Sequence, residues 1–314
     1  MLLTPDVSVV MSVYNGASSL EATLCSVMGQ QGCNFEFVVV NDGSTDQTRE
    51  TLDSWAMRDN RLRVIHQSNT GLTRALIAGC AAASGEFIAR QDAGDISLPG
   101  RLSRQWRVMS QNLELSFVSA YTRMEGPDGE FLFQQCGSGA ALQPTSLIDL
   151  STVHGVVDGP SHHGSVMFRR DQYLNAGGYR AAFRFGQDWD LWYRLAERGK
   201  FLMLDEVLYQ ARIGLTDISI SNKVAQERLA RLARRCVELR FSKQDESTVL
   251  AEASKVVQPA RGHRDATARG AYFVGECLRR NGQRARARHY FNIAIRNCPR
   301  HAKAWLRLAQ TVWI

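Results

Sequence analysis

The chain of 314 residues lacks any apolar run approaching the roughly 18 residues that a membrane-spanning helix requires, which predicts no span. Its start, MLLTPDVSVVMSVYN, enters a strand-like pattern at once and leaves no room for a charged n-region and a long apolar core, so no secretory signal is expected. The seven cysteines (25, 33, 80, 136, 236, 277 and 298) are odd in number and scattered, without a C-x-x-C pair. That argues against a disulfide framework or a cysteine-built zinc site, and for reduced thiols in the cytoplasm.

What is present is the composition of a globular protein, 44% hydrophobic and 22% charged. The length suits one large domain and a small one. The net charge of +7 is unevenly placed. Residues 1–222 hold 18 Lys and Arg against 24 Asp and Glu, whereas residues 223–314 hold 20 against 7. Such asymmetry predicts two units, 1–222 and 223–314, the second able to face an anionic surface or simply to present a solvated helical one.

The first 95 residues alternate between two patterns. VSVVMSVYN (7–15), FEFVVVNDGSTD (35–46), LRVIHQ (62–67) and GEFIARQD (85–92) read as buried strands. Between them SSLEATLCSVMGQ (18–30), TRETLDSWAM (48–57) and TRALIAGCAAA (73–83) read as helices, the first with Ser18 and Glu21 as a capping box. This is the order of an α/β domain with a mostly parallel sheet covered on both faces. Ligands bind such sheets beyond the carboxyl ends of the strands. Tyr14-Asn15, Asn41-Asp42-Gly43-Ser44 and Asp92 through Asp95 all fall there. Further on, helices are expected over 101–109 and 188–199, the latter closed by Gly199, with strands over 115–124, 131–137 and 162–170.

Seven segments in order, VSVVMSVYN, SVMGQ, VVVNDGSTD, NTGLTRAL, SGEFIARQDAGD, HHGSVMFRR with GGYR, and QDWDLWYRL, resemble glycosyltransferase family 2 across residues 7 to about 220. The resemblance implies the GT-A fold and transfer of a sugar from a nucleotide-diphospho-sugar, with UDP the expected nucleotide. It implies donor contacts from Ser12, Tyr14, Asn15, Asp42 and Asp92. Asp42 can equally serve as an Asx-turn residue that satisfies its own backbone.

A diphosphate leaving group needs its charge neutralised, and hard oxygen ligands holding Mn or Mg do this. Where the family shows a D-x-D signature, this chain has Gly94 at the position that ordinarily ligates the cation. Asp92 and Asp95 are the remaining candidates, although Asp95 can instead cap the helix that contains Arg101. Inverting transfer also needs one carboxylate as general base. Asp188 matches the second residue of the family's Glu-Asp pair, with Gln187 replacing the Glu; an N-cap role for residues 189–198 is the alternative. His162, His163 and Trp189 are candidates for the acceptor site, His154 completes a histidine cluster, and Arg212 is a candidate for the diphosphate. The Q-x-x-R-W motif of processive synthases is missing, which points to single-sugar transfer onto a glycan or lipid-linked acceptor in cell-surface polysaccharide synthesis.

Residues 271–309 resemble a tetratricopeptide repeat, with Gly275, Leu278, Gly282, Ala287, Phe291, Ala294 and Pro299 in register and Trp305, Leu308 and Ala309 starting another. Peripheral membrane contact through Arg279, Arg280, Arg284, Arg286 and Arg288, or self-association, is expected of this segment, and nucleic-acid binding is not. Two other readings stay open: a lapsed nucleotide-sugar-binding scaffold, given Gly94 and Gln187, and a nucleotidyltransferase. The latter would want a basic phosphate loop after the first strand, and YNGASSLEA (14–22) holds no Lys or Arg.

Overall fold

The computed structural model describes residues 4–136, 159–216, 223–256 and 263–311. The β-branched runs form the expected strands β1 (Val7–Val13), β2 (Phe35–Asp42), β3 (Leu62–Gln67) and β4 (Phe87–Asp92), which pair in parallel. Helices α1 (Ala17–Met28), α2 (Thr48–Arg58) and α3 (Leu72–Ala82) connect them. After β4 come β5 (Ile96–Ser97), α4 (Arg101–Gln111), β6 (Leu115–Glu125), β7 (Phe131–Gln135), β8 (Met167–Arg169), α5 (Arg170–Asn175), α6 (Gln187–Ala196) and β9 (Lys200–Arg212). The sheet order is β3-β2-β1-β4-β8-β6-β9-β5, with β7 joined to β6. Beyond β4 the ladder turns antiparallel at β8, so only one half of the sheet is parallel.

Strand alternation explains two separate cores. Val7, Val9, Met11 and Val13 face one side and pack with Leu20, Leu24, Leu52, Leu102 and Met109 from α1, α2 and α4. Val10 and Val38 face the other and pack with Leu76, Cys80, Tyr173, Leu191 and Leu195 from α3, α5 and α6. Each such side chain contributes about 1.5–3 kcal/mol by leaving water, and coverage on both faces makes the strand runs nearly continuous in apolar residues.

Several local expectations are corrected. Helix α1 begins after Gly16 with no side-chain cap, and Glu21 instead accepts the Trp55 indole N–H at 2.8 Å. Residues 162–170 hold a single 3-10 turn (His163–Ser165), the three-residue β8 and the start of α5 rather than one strand. Helix α6 ends at Ala196, capped by Glu197 rather than Gly199.

Among the described residues the helices that follow are α7 (Lys223–Phe241), α8 (Ser247–Ser254), α9 (His263–Arg280), α10 (Arg284–Asn297) and α11 (Ala302–Gln310). The chain forms two compact units that do not divide at 222/223. The first comprises 1–122, 135–211 and 229–255; the second comprises 123–134, 212–228 and 256–314. Most of α7 and all of α8 therefore belong with the sheet, where Arg240 bonds Glu197 and Glu246. In the second unit Leu278, Ala287, Phe291 and Ala294 are fully buried in a core that also takes in Ala271, Val274 and Tyr290. These are the apolar positions of the helical repeat.

Beneath the strand ends lies a fully buried guanidinium, Arg101, the first residue of α4. Its Nε donates to Gln105 Oε1, its Nη1 to Gln91 Oε1 and Ser97 Oγ, and its Nη2 to the carbonyls of Arg90 and Gly164. Five N–H groups thus meet five acceptors, all the side chain can offer. Replacement of Arg101 by Ala would strand those acceptors. Arg101→Ala is expected to destabilise the fold by about 3–5 kcal/mol in urea unfolding. Arg101→Lys, with three donors on a point charge, recovers only part of that loss. Unfolding curves that overlay the wild type would contradict this role.

Candidate active site

The carboxyl ends of β1, β2 and β4 converge as the sheet dictates. Ser12 is in register with Val40 on one side and Asp92 on the other. Just beyond, Asn15 takes a left-handed backbone (φ 51°), its N–H donates to Ser44 Oγ at 2.9 Å, and its Oδ1 accepts the Thr45 N–H at 2.8 Å. These bonds tie the loop after β1 to the loop after β2. Tyr14 stands beside them, 53% exposed. Asp42 is buried, and its Oδ1 accepts from Gln67 Nε2 and the Thr70 N–H while its Oδ2 accepts the Gly71 N–H at 2.8 Å. Its carboxylate is thus largely engaged in holding the loop from β3 to α3; the local turn bond that the sequence allowed to Asp42 is made by Asn41, whose Oδ1 accepts the Ser44 N–H at 3.1 Å.

Asp92 closes β4. One carboxylate oxygen is ion-paired with Arg90, a fully buried side chain whose Nη1 also donates to the carbonyls of Val10 and Gln91. Burial alone would raise the Asp92 pKa, but the Arg90 guanidinium above all, with Arg101 adding to it, outweighs burial and holds the carboxyl below its ordinary value. His163 Nε2 accepts from Arg90 Nε at 3.4 Å and bonds the Tyr179 hydroxyl at 2.8 Å. Burial, then Arg90, push its pKa down to about 3, so it stays neutral. That Nε2 is therefore occupied within the protein.

Asp95 is not a helix cap, because α4 begins after Gly100, five residues later. Its Oδ2 accepts the Tyr209 hydroxyl at 3.0 Å, and the same hydroxyl oxygen accepts the Asp92 backbone N–H at 3.0 Å. Gly94 between them has φ 95°, a region that L side chains rarely adopt, and its N–H donates to Thr23 Oγ1 at 3.0 Å. The lack of a carboxylate at the third position of the D-x-D pattern therefore has a backbone reason. In its stead His162 lies close, its Nδ1 3.9 Å from Asp92 Oδ2 and 3.8 Å from Asp95 Oδ2.

Ligand atoms of Asp92, Asp95 and His162 all fall within 4.8 Å of one another, the only such metal-type cluster among the described residues. Two carboxylate oxygens and an imidazole nitrogen fit a hard to borderline divalent cation such as Mn²⁺. Burial lowers the His162 pKa, an effect Arg90 and Arg101 reinforce against Asp92, so the ring stays neutral; its Nδ1 accepts the Gly164 N–H at 3.1 Å, a bond that a cation on that nitrogen would displace. The donor set fits the cation that the resemblance implies.

Asp188 is the second residue of α6, whose N-cap is Gly186 rather than Asp188. One oxygen accepts the Trp189 N–H at 2.9 Å. Burial pushes its pKa up to about 6, with Asp92 adding to the rise and Arg90 opposing it. Asp190 is spent elsewhere, bonded to Arg180 and Arg194. Trp189 packs on Trp192 and Tyr193, ring centroids 5.0 and 5.7 Å away. Arg212, the exposed last residue of β9, belongs to the second unit, and His154 lies outside the described residues.

Sequence reasoning missed Tyr209, Arg90, Arg101 and the place of His162 beside the carboxylates. A signal for Arg90 existed: an arginine inside the apolar run GEFIARQD must find buried partners or not be buried at all. Tyr209, in VLYQA, gave none.

Residues 8–170 match the model of Glycosyl transferase family 2, and residues 268–311 that of a tetratricopeptide repeat. EpsE of Bacillus subtilis (strain 168), provisionally named a glycosyltransferase, is 31% identical over 214 residues, 66% of this chain and 73% of EpsE. The O-antigen biosynthesis glycosyltransferase WbnJ of Escherichia coli is 26% identical over 192 residues, 60% of this chain and 71% of WbnJ. The fold is like that of S. aureus TarS 1-349, solved in complex with UDP-GlcNAc. The TM-score is 0.59 at 16% identity, covering 93% of this chain and 89% of that one. The strand-end site and these likenesses agree: the chain belongs to glycosyltransferase family 2 and is a glycosyltransferase of GT-A fold with a tetratricopeptide-like helical segment.

Proposed function

We propose that this enzyme moves one sugar, with inversion, from a UDP-sugar to a hydroxyl of a glycan or lipid-linked acceptor in cell-surface polysaccharide synthesis. The observation that carries the reading is Asp188, a partly buried carboxylate at the start of α6, with a pKa of about 6 and electrostatically coupled to Asp92. TarS, the structural neighbour, has been solved with UDP and with UDP-GlcNAc, which favours UDP as the nucleotide.

In this reading Ser12, Tyr14, Asn15 and Asp42 border the nucleotide at the ends of β1 and β2. Asp92, Asp95 and His162 would hold a divalent cation, which when bound neutralises charge developing on the diphosphate. Arg90 keeps Asp92 ionised throughout. Asp188 accepts the proton of the acceptor hydroxyl as its oxygen bonds the anomeric carbon, while the bond to the diphosphate breaks on the opposite face and the leaving oxygen keeps the electron pair. The pKa of Asp188, near the working pH, suits a group that must take up a proton and release it again. Trp189 and Gly159, against its ring, border the acceptor side.

The second unit adds a location. Among the described residues no helix is long and apolar enough to cross a membrane. Arg279 and Arg280 are ion-paired with Glu276, but Arg284, Arg286 and Arg288 are exposed on α10. These three are the groups we propose to meet an anionic lipid surface from the cytoplasmic side.

Release of UDP from UDP-sugars, with Mn²⁺ and an acceptor present, measures the first claim. Asp188→Asn is expected to lower kcat by about 10²–10⁴-fold, and equal rates would sink the base assignment. Because the base works ionised, kcat/KM should fall about tenfold per pH unit below about 6 and level off above it. A profile flat from pH 5 to 8 contradicts this. For the second claim, vesicles of phosphatidylglycerol should retain the protein at low salt and phosphatidylcholine should not; charge reversal at Arg284 and Arg288 should abolish retention. Equal retention on both lipids, or on neither, removes the membrane role.

A further inference from the structure

Tyr209 lies outside the segment that matches the family model and carries no role in the reaction so far described. Its position is unusual in chemical terms. The side chain is fully buried on β9, yet its hydroxyl reaches the turn between Asp92 and Asp95 and makes two bonds of opposite sense there: it receives the Asp92 N–H and donates to Asp95 Oδ2, each at 3.0 Å. Gln91 Nε2 donates to the same oxygen at 3.3 Å. The ring stacks on His162, with centroids 5.5 Å apart and planes 25° apart, and also carries the Arg101 guanidinium 4.7 Å from its centroid. One side chain therefore touches all three members of the Asp92–Asp95–His162 cluster.

The chain makes room for this contact. A Cβ on Gly164 would come 2.0 Å from the Tyr209 hydroxyl, so only glycine there lets the phenol reach the turn. The direction of the bond to Asp95 matters as well. A donor to Asp95 Oδ2, the oxygen that lies 3.8 Å from His162 Nδ1, fixes the rotamer of Asp95 beside that ring. Groups that hold metal ligands in this way ordinarily govern affinity without touching the ion.

We propose that Tyr209 is the positioning residue of the cation site: by fixing the Asp92 backbone, the Asp95 carboxylate and the His162 ring together, it compensates for the ligand that Gly94 cannot supply. This rests on the cation reading of the cluster given above. It also explains how an incomplete D-x-D can retain a cation. The turn lost a carboxylate at position 94, and the fold presents His162 and a locked Asp95 from neighbouring elements.

Tyr209→Phe keeps the ring against His162 and Arg101 and removes only the hydroxyl. Binding of Mn²⁺ to the full chain in the presence of UDP, followed by calorimetry and by the Mn²⁺ resonance signal, should weaken about 10–100-fold. UDP binding without metal, and the thermal midpoint within a few degrees, should be retained. In an Asp95→Asn background the same change should cost much less, since the two act on one ligand. Gly164→Ala, which keeps the tyrosine in the sequence but drives its ring and hydroxyl off the turn, should reproduce the loss. Unchanged Mn²⁺ affinity in Tyr209→Phe overturns the assignment, and so does an undiminished loss in the Asp95→Asn background. A wild-type chain that binds UDP but no Mn²⁺ overturns it together with the cation reading, and leaves the assignment of Asp188 to be judged by its own rates.

Discussion

The site depends on two positive charges kept dry beneath it. Arg90 and Arg101 are fully buried, and removing a guanidinium from water costs several kcal/mol unless its donors are matched. Arg101 recovers that cost through five acceptors drawn from β4, β5, α4 and the turn at Gly164. Arg90 does so through Asp92, two backbone carbonyls and His163. The elements that carry the site therefore cannot shift independently: moving any one breaks a bond to a buried cation. Arg90 also sets the chemistry, because it keeps Asp92 ionised where burial would favour the protonated form. Asp188, farther from that charge and dominated by burial, goes the opposite way, to about 6. The two carboxylates are thereby set apart by their surroundings, one held ionised and the other raised to about 6, a division that suits the ligand and base roles proposed for them.

Much of the framework was legible in the sequence because its causes are local. The β-branched runs 7–13 and 35–42 could pack only as covered strands, and the strand-end clusters at Asn15, Asp42 and Asp92 followed from the rule for parallel sheets. Asp92, Asp95 and Asp188 were named from motif and chemistry, and the fold brings the first two together with His162. What the sequence did not show arises from contacts between distant segments. Tyr209 meets Asp95 across 114 positions, and His162 joins the carboxylates from some 70 residues away. No periodicity encodes such a meeting. Gly94 was visible as a departure, but its reason, a left-handed turn, is a backbone property that appears only in the fold.

The compositional break at 223 misled in a related way. Basic, Ala- and Leu-rich helices read as a separate unit, yet residues 229–255 pack with the sheet. Charge explains it. Asp190, buried beside the proposed base, binds Arg180 and Arg194; Arg180 binds Glu246, and Arg240 joins Glu246 to Glu197 at the end of α6. A helix that looks solvated when its own sequence is read alone supplies the counter-charges that hold α6, and with it Asp188, in place. The remaining helices, α9 to α11, bury the repeat positions within their own core and present arginines outward.

The central claim is that Asp92, Asp95 and His162 form one cation-assisted donor site opposite Asp188. Crystals grown with UDP and Mn²⁺, measured at a wavelength where manganese scatters anomalously, test it most directly. The account predicts one anomalous peak within coordinating distance of those three side chains and of the diphosphate, with Asp188 facing the sugar position without touching the metal. UDP bound at the strand ends with the peak elsewhere, or with Asp188 as a ligand, would contradict it.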